Sequence, residues 1–258
     1  MATHDLFGYC LMFAVGASAG SFLNVVAIRL PHGEKLSFLR SRCPVCKRYL
    51  SLVDMVPVLS YLFLRGKCRY CGCRISPMYP AVEGTTGFIF AYLASRYGFT
   101  PVLLRQAVLL SLLVVIAITD IREMLIPDEL LLSGAVFWAV YVVVASAGDV
   151  LAVLQRGILG GMLAFSLFLL ISLATKGMGG GDIKLAGMCG LYLGPMLTIL
   201  AIFVTFVSGG LAAGLYLSVR KAGRKSAIPY GPFIALGTAV SSLWGEQIIC
   251  WYLGRLPA

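Results

Sequence analysis

Val108-Leu109-Leu110-Ser111-Leu112-Leu113-Val114-Val115-Ile116-Ala117-Ile118-Thr119 is an almost unbroken apolar run, and it closes on an acid, Asp120. A segment apolar all round belongs in a large core or in lipid. At bilayer mid-depth an ionised carboxylate costs about 3 kcal/mol, so such an acid belongs at the boundary and needs a role. A second acid, Asp182, follows the glycines of Gly177-Met178-Gly179-Gly180-Gly181-Asp182-Ile183-Lys184, between two further apolar segments.

The composition agrees. Hydrophobic residues make up 59% of the chain and charged residues 12%, against about 25% charged in soluble domains, and the mean hydropathy is +0.91. This excludes a soluble fold and predicts a polytopic α-helical membrane protein. Apolar stretches near the length that spans a bilayer fall at Leu6–Ile28, Ala81–Tyr97, Val102–Thr119, Leu130–Ala147, Gly157–Thr175, Ile183–Leu193, Met196–Leu217 and Ile228–Leu253, about eight transmembrane helices. Ile183–Leu193 is short for a span and is expected to be tilted or re-entrant, broken from the next at Gly194-Pro195.

Charge orients these spans, because loops rich in Lys and Arg stay in the cytoplasm. Of the 21 basic residues, ten lie between Arg29 and Arg74, four lie in Arg220–Lys225, and Arg122, Lys176 and Lys184 occupy two more loops. All of these share one face under an N-out, C-out arrangement. The net charge of +10 is then a topology signal and a contact for anionic lipid, and no nucleic-acid partner is expected. The first span lacks the basic n-region of a signal peptide and reads as a retained anchor.

The chain accordingly divides into a first span at 1–30, a polar basic segment at 31–80 and a multi-helix region at 81–258. The polar segment carries Cys43-Pro44-Val45-Cys46 and Cys68-Arg69-Tyr70-Cys71-Gly72-Cys73. Two CxxC pairs at this separation resemble a zinc ribbon. Cys43, Cys46, Cys68 and Cys71 are expected to enclose structural zinc with no open position, letting a short segment fold without a large core. A disulfide pair or a catalytic metal are the alternatives, and a cytoplasmic loop disfavours the former. Cys73 is a fifth thiol, a competitor for the ion or a spare. Cys10, Cys189 and Cys250 read as small buried residues of the spans.

On this topology Asp120 and Asp182 both reach the cytoplasmic boundary, where they can meet. Two adjacent carboxylates share a proton, so one can deprotonate water while the other polarises a carbonyl. Each acid alone could instead be a helix-end or N-cap residue. The glycines at 177 and 179–181 permit close approach of a substrate strand or partner helix.

These residues resemble the bifunctional type IV prepilin peptidases, the leader peptidase/N-methyltransferases of the GxGD aspartic protease group. The likeness runs through Gly20-Ser21-Phe22-Leu23-Asn24-Val25-Val26 with Arg29-Leu30-Pro31, Ser41-Arg42-Cys43-Pro44-x-Cys46, Asp54-x-x-Pro57-Val58-Leu59-Ser60-Tyr61 and Leu64-Arg65-Gly66-Lys67-Cys68-Arg69-x-Cys71-Gly72. It continues in Ile75-Ser76-x-x-Tyr79-Pro80-x-x-Glu83, in Asp120 with Ile126-Pro127-Asp128, in Gly177-Met178-Gly179-x-Gly181-Asp182-x-Lys184-Leu185 and in Ile228-Pro229-Tyr230-Gly231-Pro232-Phe233.

The resemblance implies an enzyme of the bacterial cytoplasmic (inner) membrane. It would cleave the basic leader from prepilins or type II secretion pseudopilins at the cytoplasmic face, before the substrate's apolar helix. It would then methylate the new N-terminus with S-adenosylmethionine. Asp120 and Asp182 carry over as the catalytic pair, and the cysteine segment goes with methylation and zinc. Glu34, Asp54 and Glu83 are candidates for holding the methyl donor or the substrate amine, with a helix cap for Asp54 and an interfacial anchor for Glu83 as the plainer readings. Asp128, Glu129 and Glu123 could meet the leader's charge, and Pro127 and Pro229 mark turns. Gly84-Thr85-Thr86 replaces the bulkier residues of many relatives, and Cys73 is not a usual motif position. A peptidase without methylation is the nearest rival. A secondary transporter would need midplane acids and inverted repeats, and a scaffold would leave both aspartates unexplained.

Overall fold

The computed structural model describes residues 6–34, 42–43, 45–145, 149–175, 177–220 and 228–254. Pro44, Lys176, the basic residues 221–225 and the end of the expected span at 130–147 lie outside the described residues. The chain divides into two units, residues 1–115 and 116–258.

The first unit is built on α1 (Leu6–Arg29) and its neighbour α3 (Met78–Tyr97), which pack together. Small residues on α1 make this possible: Gly8, Gly16, Ala17 and Gly20 are buried. A Cβ on Gly16 would lie 2.6 Å from the Thr86 carbonyl, and one on Gly20 would strike the Thr86 hydroxyl. Small residues spaced by four let membrane helices approach to backbone contact. Between the two helices lie a short helix, α2 (Leu59–Phe63), and two small hairpins marked by the isolated antiparallel bridges Arg42–Tyr49 and Lys67–Arg74.

α4 (Pro101–Glu123) opens on proline, which suits a first helical position because its missing N–H would be unpaired there anyway. It ends at Met124, whose φ of 50° turns the chain out of the helix. In the second unit α5 (Asp128–Ala145) starts with Asp128 and Glu129, acids that favour a helix N-terminus. α6 (Val150–Thr175), α7 (Gly180–Arg220) and α8 (Gly231–Tyr252) follow. α7 is the hub, packed against α5, α6 and α8. Gly160 on α6 and Gly190 on α7 face each other so closely that a Cβ on either would strike the other's carbonyl oxygen. The buried hydroxyl of Tyr192 donates to the Gly134 carbonyl at 2.7 Å, tying α7 to α5. Large apolar side chains such as Leu132, Phe203 and Leu211 remain exposed, the outward surface expected of helices solvated by lipid.

Among the described residues, six helical stretches are long and apolar enough to cross a membrane: those of α1, α4, α5, α6, α7 and α8. Each of the eight expected spans is helical in its described part, and three differ from the rest. The expected second span is α3, which falls outside the six because Glu83, Thr85, Thr86 and Arg96 dilute its hydropathy. The expected sixth and seventh spans form one run, α7, broken where Gly194 adopts φ 69°, ψ 172° ahead of Pro195. The broken helix anticipated at Gly194-Pro195 is therefore present.

Candidate functional site

Asp120 lies in the last turn of α4, only 5% exposed. Its Oδ2 accepts the Gly231 backbone N–H at 2.7 Å. Gly231 is the first residue of α8, so the carboxylate meets the positive end of that helix. The contact requires glycine: a Cβ there would sit 2.8 Å from Asp120 Oδ2 and 3.2 Å from Cγ.

Asp182 lies in the first turn of α7, 9% exposed. Its Oδ2 accepts the Gly179 N–H at 3.2 Å, while its own N–H donates to the Gly179 carbonyl at 3.2 Å. Asp182 thus sits three residues after the capping residue and reaches back, the acidic half of a capping box. The cap reading holds locally, and it leaves room for a further role. Tyr230 is packed against Phe206 and Phe233, with ring centroids 6.2 and 5.9 Å away. A Cβ on Gly181 would lie 3.1 Å from Ile126. The end of α4, the chain just after it and the starts of α7 and α8 therefore converge on two buried acids.

Pro127 and Pro229 precede α5 and α8 as expected. Asp128 accepts two hydrogen bonds from Lys184 Nζ, at 2.7 and 2.9 Å. Both partners are more than half exposed, so the pair contributes at most about 1 kcal/mol. Glu123 and Glu129 are exposed. Sequence reasoning missed Gly231 and Tyr230 as neighbours of the acids; their signal was the Pro229-Tyr230-Gly231-Pro232 run, quoted only as part of a motif.

In the first unit the Sγ atoms of Cys43, Cys46, Cys68 and Cys71 all lie within 4.8 Å of one another. The two hairpins position them. Cys43 N–H donates to the Arg48 carbonyl and Lys47 N–H to that of Cys43, while Gly72 N–H donates to Cys68 and Cys68 N–H to Cys73. Gly72, at φ 70°, supplies the left-handed turn that glycine adopts without cost. The backbone N–H of Cys46 leads a set of hydrogen bonds that outweigh burial and pull the Cys43 thiol down to about 6, toward the thiolate that binds metal. Zinc–sulfur bonds of about 2.3 Å in a tetrahedron place sulfurs about 3.8 Å apart, and Cys43 and Cys71 are 3.8 Å apart. The donor set fits a tetrahedral ion.

The three acids considered for the methyl donor differ. Glu34 is exposed. Asp54 is taken up by structure: Oδ2 accepts the Ser51 amide and hydroxyl, and Oδ1 accepts Arg69 Nε at 2.7 Å. Burial disfavours its charge, but the Ser51 hydrogen bonds and the Arg69 guanidinium outweigh that and hold its carboxyl below the usual carboxylate range. Glu83, buried on α3, accepts the Val58 N–H at 2.8 Å. This hydrogen bond braces Val58, whose φ of 62° is unusual for a β-branched residue. Asn24, fully buried on α1, donates to the Tyr79 carbonyl at 3.2 Å.

Residues 14–97 match the bacterial peptidase A24 N-terminal domain, and residues 107–214 match the type IV leader peptidase family. A protein of Bacillus subtilis named prepilin leader peptidase/N-methyltransferase is 35% identical over 94% of this chain and 97% of its own length. Proteins of the same name from Legionella pneumophila and Pseudomonas aeruginosa are 31% and 30% identical, covering 96% and 98% of the chain and 95% and 96% of their own lengths. No solved structure matches the chain.

Proposed function

The chain belongs to the type IV leader peptidase family, and from that membership we propose that it cleaves the basic leader from type IV prepilins or pseudopilins and then methylates the exposed N-terminal residue. Asp120 and Asp182 are the peptidase dyad in this reading. The observation that carries it is that two buried acids, from helix ends far apart in sequence, lie where the end of α4 and the starts of α7 and α8 come together: Asp120 accepts the Gly231 N–H at the start of α8, and Gly181, next to Asp182, packs against Ile126 just after α4.

The ionised member takes a proton from the attacking water, and the protonated partner donates to the scissile carbonyl. The backbone N–H groups of Gly231 and Gly179 fix one oxygen of each acid, so neither needs a cationic partner. The substrate enters as a helix-preceding strand beside the glycines at 179–181, with its leader toward Glu123 and Glu129.

In this reading eight helices run with both ends outside, counting α3 and both halves of α7, and this pair and the 31–80 segment face the cytoplasm at the bacterial inner membrane; the clustering of basic residues in the corresponding loops supports that orientation. Domains at 1–30, 31–80 and 81–258 follow that topology. The basic residues there suit anionic lipid. Cys43, Cys46, Cys68 and Cys71 hold structural zinc, and S-adenosylmethionine supplies the methyl group when bound. Because Asp54 is consumed by Ser51 and Arg69, Glu83 is the stronger of the acids for the methylation half.

Purified chain in detergent, with Asp120→Asn and Asp182→Asn variants, tests this against a prepilin substrate. Both variants are expected to lose cleavage, and the native product is expected to gain one methyl group by mass spectrometry only when S-adenosylmethionine is added. Cleavage by either variant at the native rate would remove the dyad. Cleavage without methyl gain would reduce the activity to that of a peptidase.

A further inference from the structure

The second hairpin carries one thiol more than a tetrahedral ion needs. Cys73 Sγ lies 3.5 Å from Cys43 Sγ, closer than Cys71 Sγ at 3.8 Å. Both separations are near the edge of a zinc–sulfur tetrahedron, about 3.8 Å.

The backbone explains how residue 73 returns to the ion. Gly72 takes a left-handed φ of 70°, so the chain reverses between the two cysteines. The Cys73 carbonyl then accepts the Cys68 N–H at 2.8 Å, and the Lys67–Arg74 bridge closes the hairpin one residue further on. Cys73 is thus inside the hairpin, fixed against the same backbone that positions Cys68. Its exposure is intermediate, whereas Cys71 is exposed. The set within mutual reach, Cys43, Cys46, Cys68 and Cys71, is the resting arrangement, and its most solvent-facing member has a neighbour of identical chemistry beside it.

We propose that Cys73 is an alternate zinc ligand that exchanges with Cys71 at the fourth coordination position. The inference rests on the zinc reading above. In the exchange the zinc–sulfur bond to Cys71 breaks as one to Cys73 forms, and the proton leaving the Cys73 thiol is taken up by the released Cys71 thiolate. Nothing is oxidised or reduced, and the ion keeps four thiolates. The site therefore always leaves one thiol of this pair free while the ion stays bound.

The deciding experiment uses the zinc-loaded full chain in detergent, treated with limiting iodoacetamide and digested with trypsin. Cleavage after Arg69 and Arg74 places both cysteines in the peptide Tyr70–Arg74. Exchange predicts peptides alkylated once, with the label divided between Cys71 and Cys73, while Cys43, Cys46 and Cys68 stay protected. Label confined to Cys73, with Cys71 fully protected, would overturn the proposal and leave Cys73 a spare thiol. Label on all five cysteines would mean that no ion is held, so the zinc reading itself would fall.

Cobalt substitution gives a second readout. Cys71→Ser is expected to keep the four-thiolate absorption and to retain zinc against a chelator, which the Cys71→Ser/Cys73→Ser double variant should not. A Cys71→Ser spectrum identical to that of the double variant would equally refute the exchange.

Discussion

Gly231→Ala tests the link between Asp120 and α8. The Gly231 N–H donates to Asp120 Oδ2 at 2.7 Å, and an added Cβ would lie 2.8 Å from that oxygen, 3.2 Å from Cγ and 3.3 Å from Cβ of the same residue. The three nearest atoms all belong to Asp120, so either the carboxylate or the start of α8 must move, and the hydrogen bond lengthens or breaks. A hydrogen bond to a charged group contributes about 1.5–3 kcal/mol, and about 1.4 kcal/mol is a tenfold change. Leader cleavage, read as kcat/KM on a purified prepilin, is therefore expected to fall roughly 10- to 150-fold. Two controls separate this from misfolding. Gly210→Ala on α7 adds its methyl into open space and should cleave normally, and Gly231→Ala should still methylate a pilin supplied already cleaved, because the cysteines and Glu83 lie in the other unit. A Gly231→Ala enzyme that cleaves at the native rate would show that the Asp120–α8 contact is dispensable, and the site geometry argued here would be wrong.

Gly160→Leu should separate α6 from α7, because its side chain has only the Gly190 and Gly194 backbone to enter; detergent-solubilised protein is expected to lose most of its folded fraction in a thermal-shift or size-exclusion measurement, and a native elution profile and melting point would contradict the close packing. Asp54→Asn should loosen the 51–69 segment in a pH-dependent way. The native carboxyl is held below its usual range, so its stabilisation is complete above the unfolded value of about 4 and is lost as pH falls through the lower folded value. Hydrogen exchange of the segment should therefore be faster in Asp54→Asn than in the native chain at pH 7, with the difference closing below about pH 4, whereas a gap that persists unchanged in acid would mean the Asp54 charge is not what braces the segment.

Much of this fold was legible because apolar runs leave few choices. Helices form at every expected span, and even the break at Gly194-Pro195 was visible from its residues. What pattern reading blurred was strength: α3 is interrupted by Glu83, Thr85 and Thr86 and does not reach the hydropathy of the other spans. At the site, Asp120 and Asp182 stood out because acids are scarce beside apolar runs. Their partners did not, since a carboxylate held by a backbone N–H leaves no complementary side chain to search for. Gly231 is recognisable only as a glycine between Pro229-Tyr230 and Pro232. The CxxC spacing disclosed four sulfurs, but the place of Cys73 depended on the turn at Gly72, which spacing cannot give. Asp54 was misleading in the other direction: a lone acid in a cysteine-rich segment looks available until Ser51 and Arg69 are seen to occupy it.

The handling of charge around the two buried acids has a physical logic. A chain with 21 basic residues could easily have turned a lysine onto each, yet Arg69 pairs with Asp54, Lys184 pairs with Asp128, and the hydrogen bonds that hold Asp120 and Asp182 come from backbone N–H groups. Lys184 is two residues from Asp182, and it is engaged by Asp128 instead. A cation on Asp182 would favour ionisation of both acids and spoil the sharing of a single proton that peptide hydrolysis requires. Backbone N–H groups orient an oxygen without bringing a full charge, and Gly179 and Gly231 expose such groups at the starts of α7 and α8. On the proposed dyad reading, the glycines of both motifs and the Lys184–Asp128 pair serve one end: the acids are held in place while their charge is left for the chemistry.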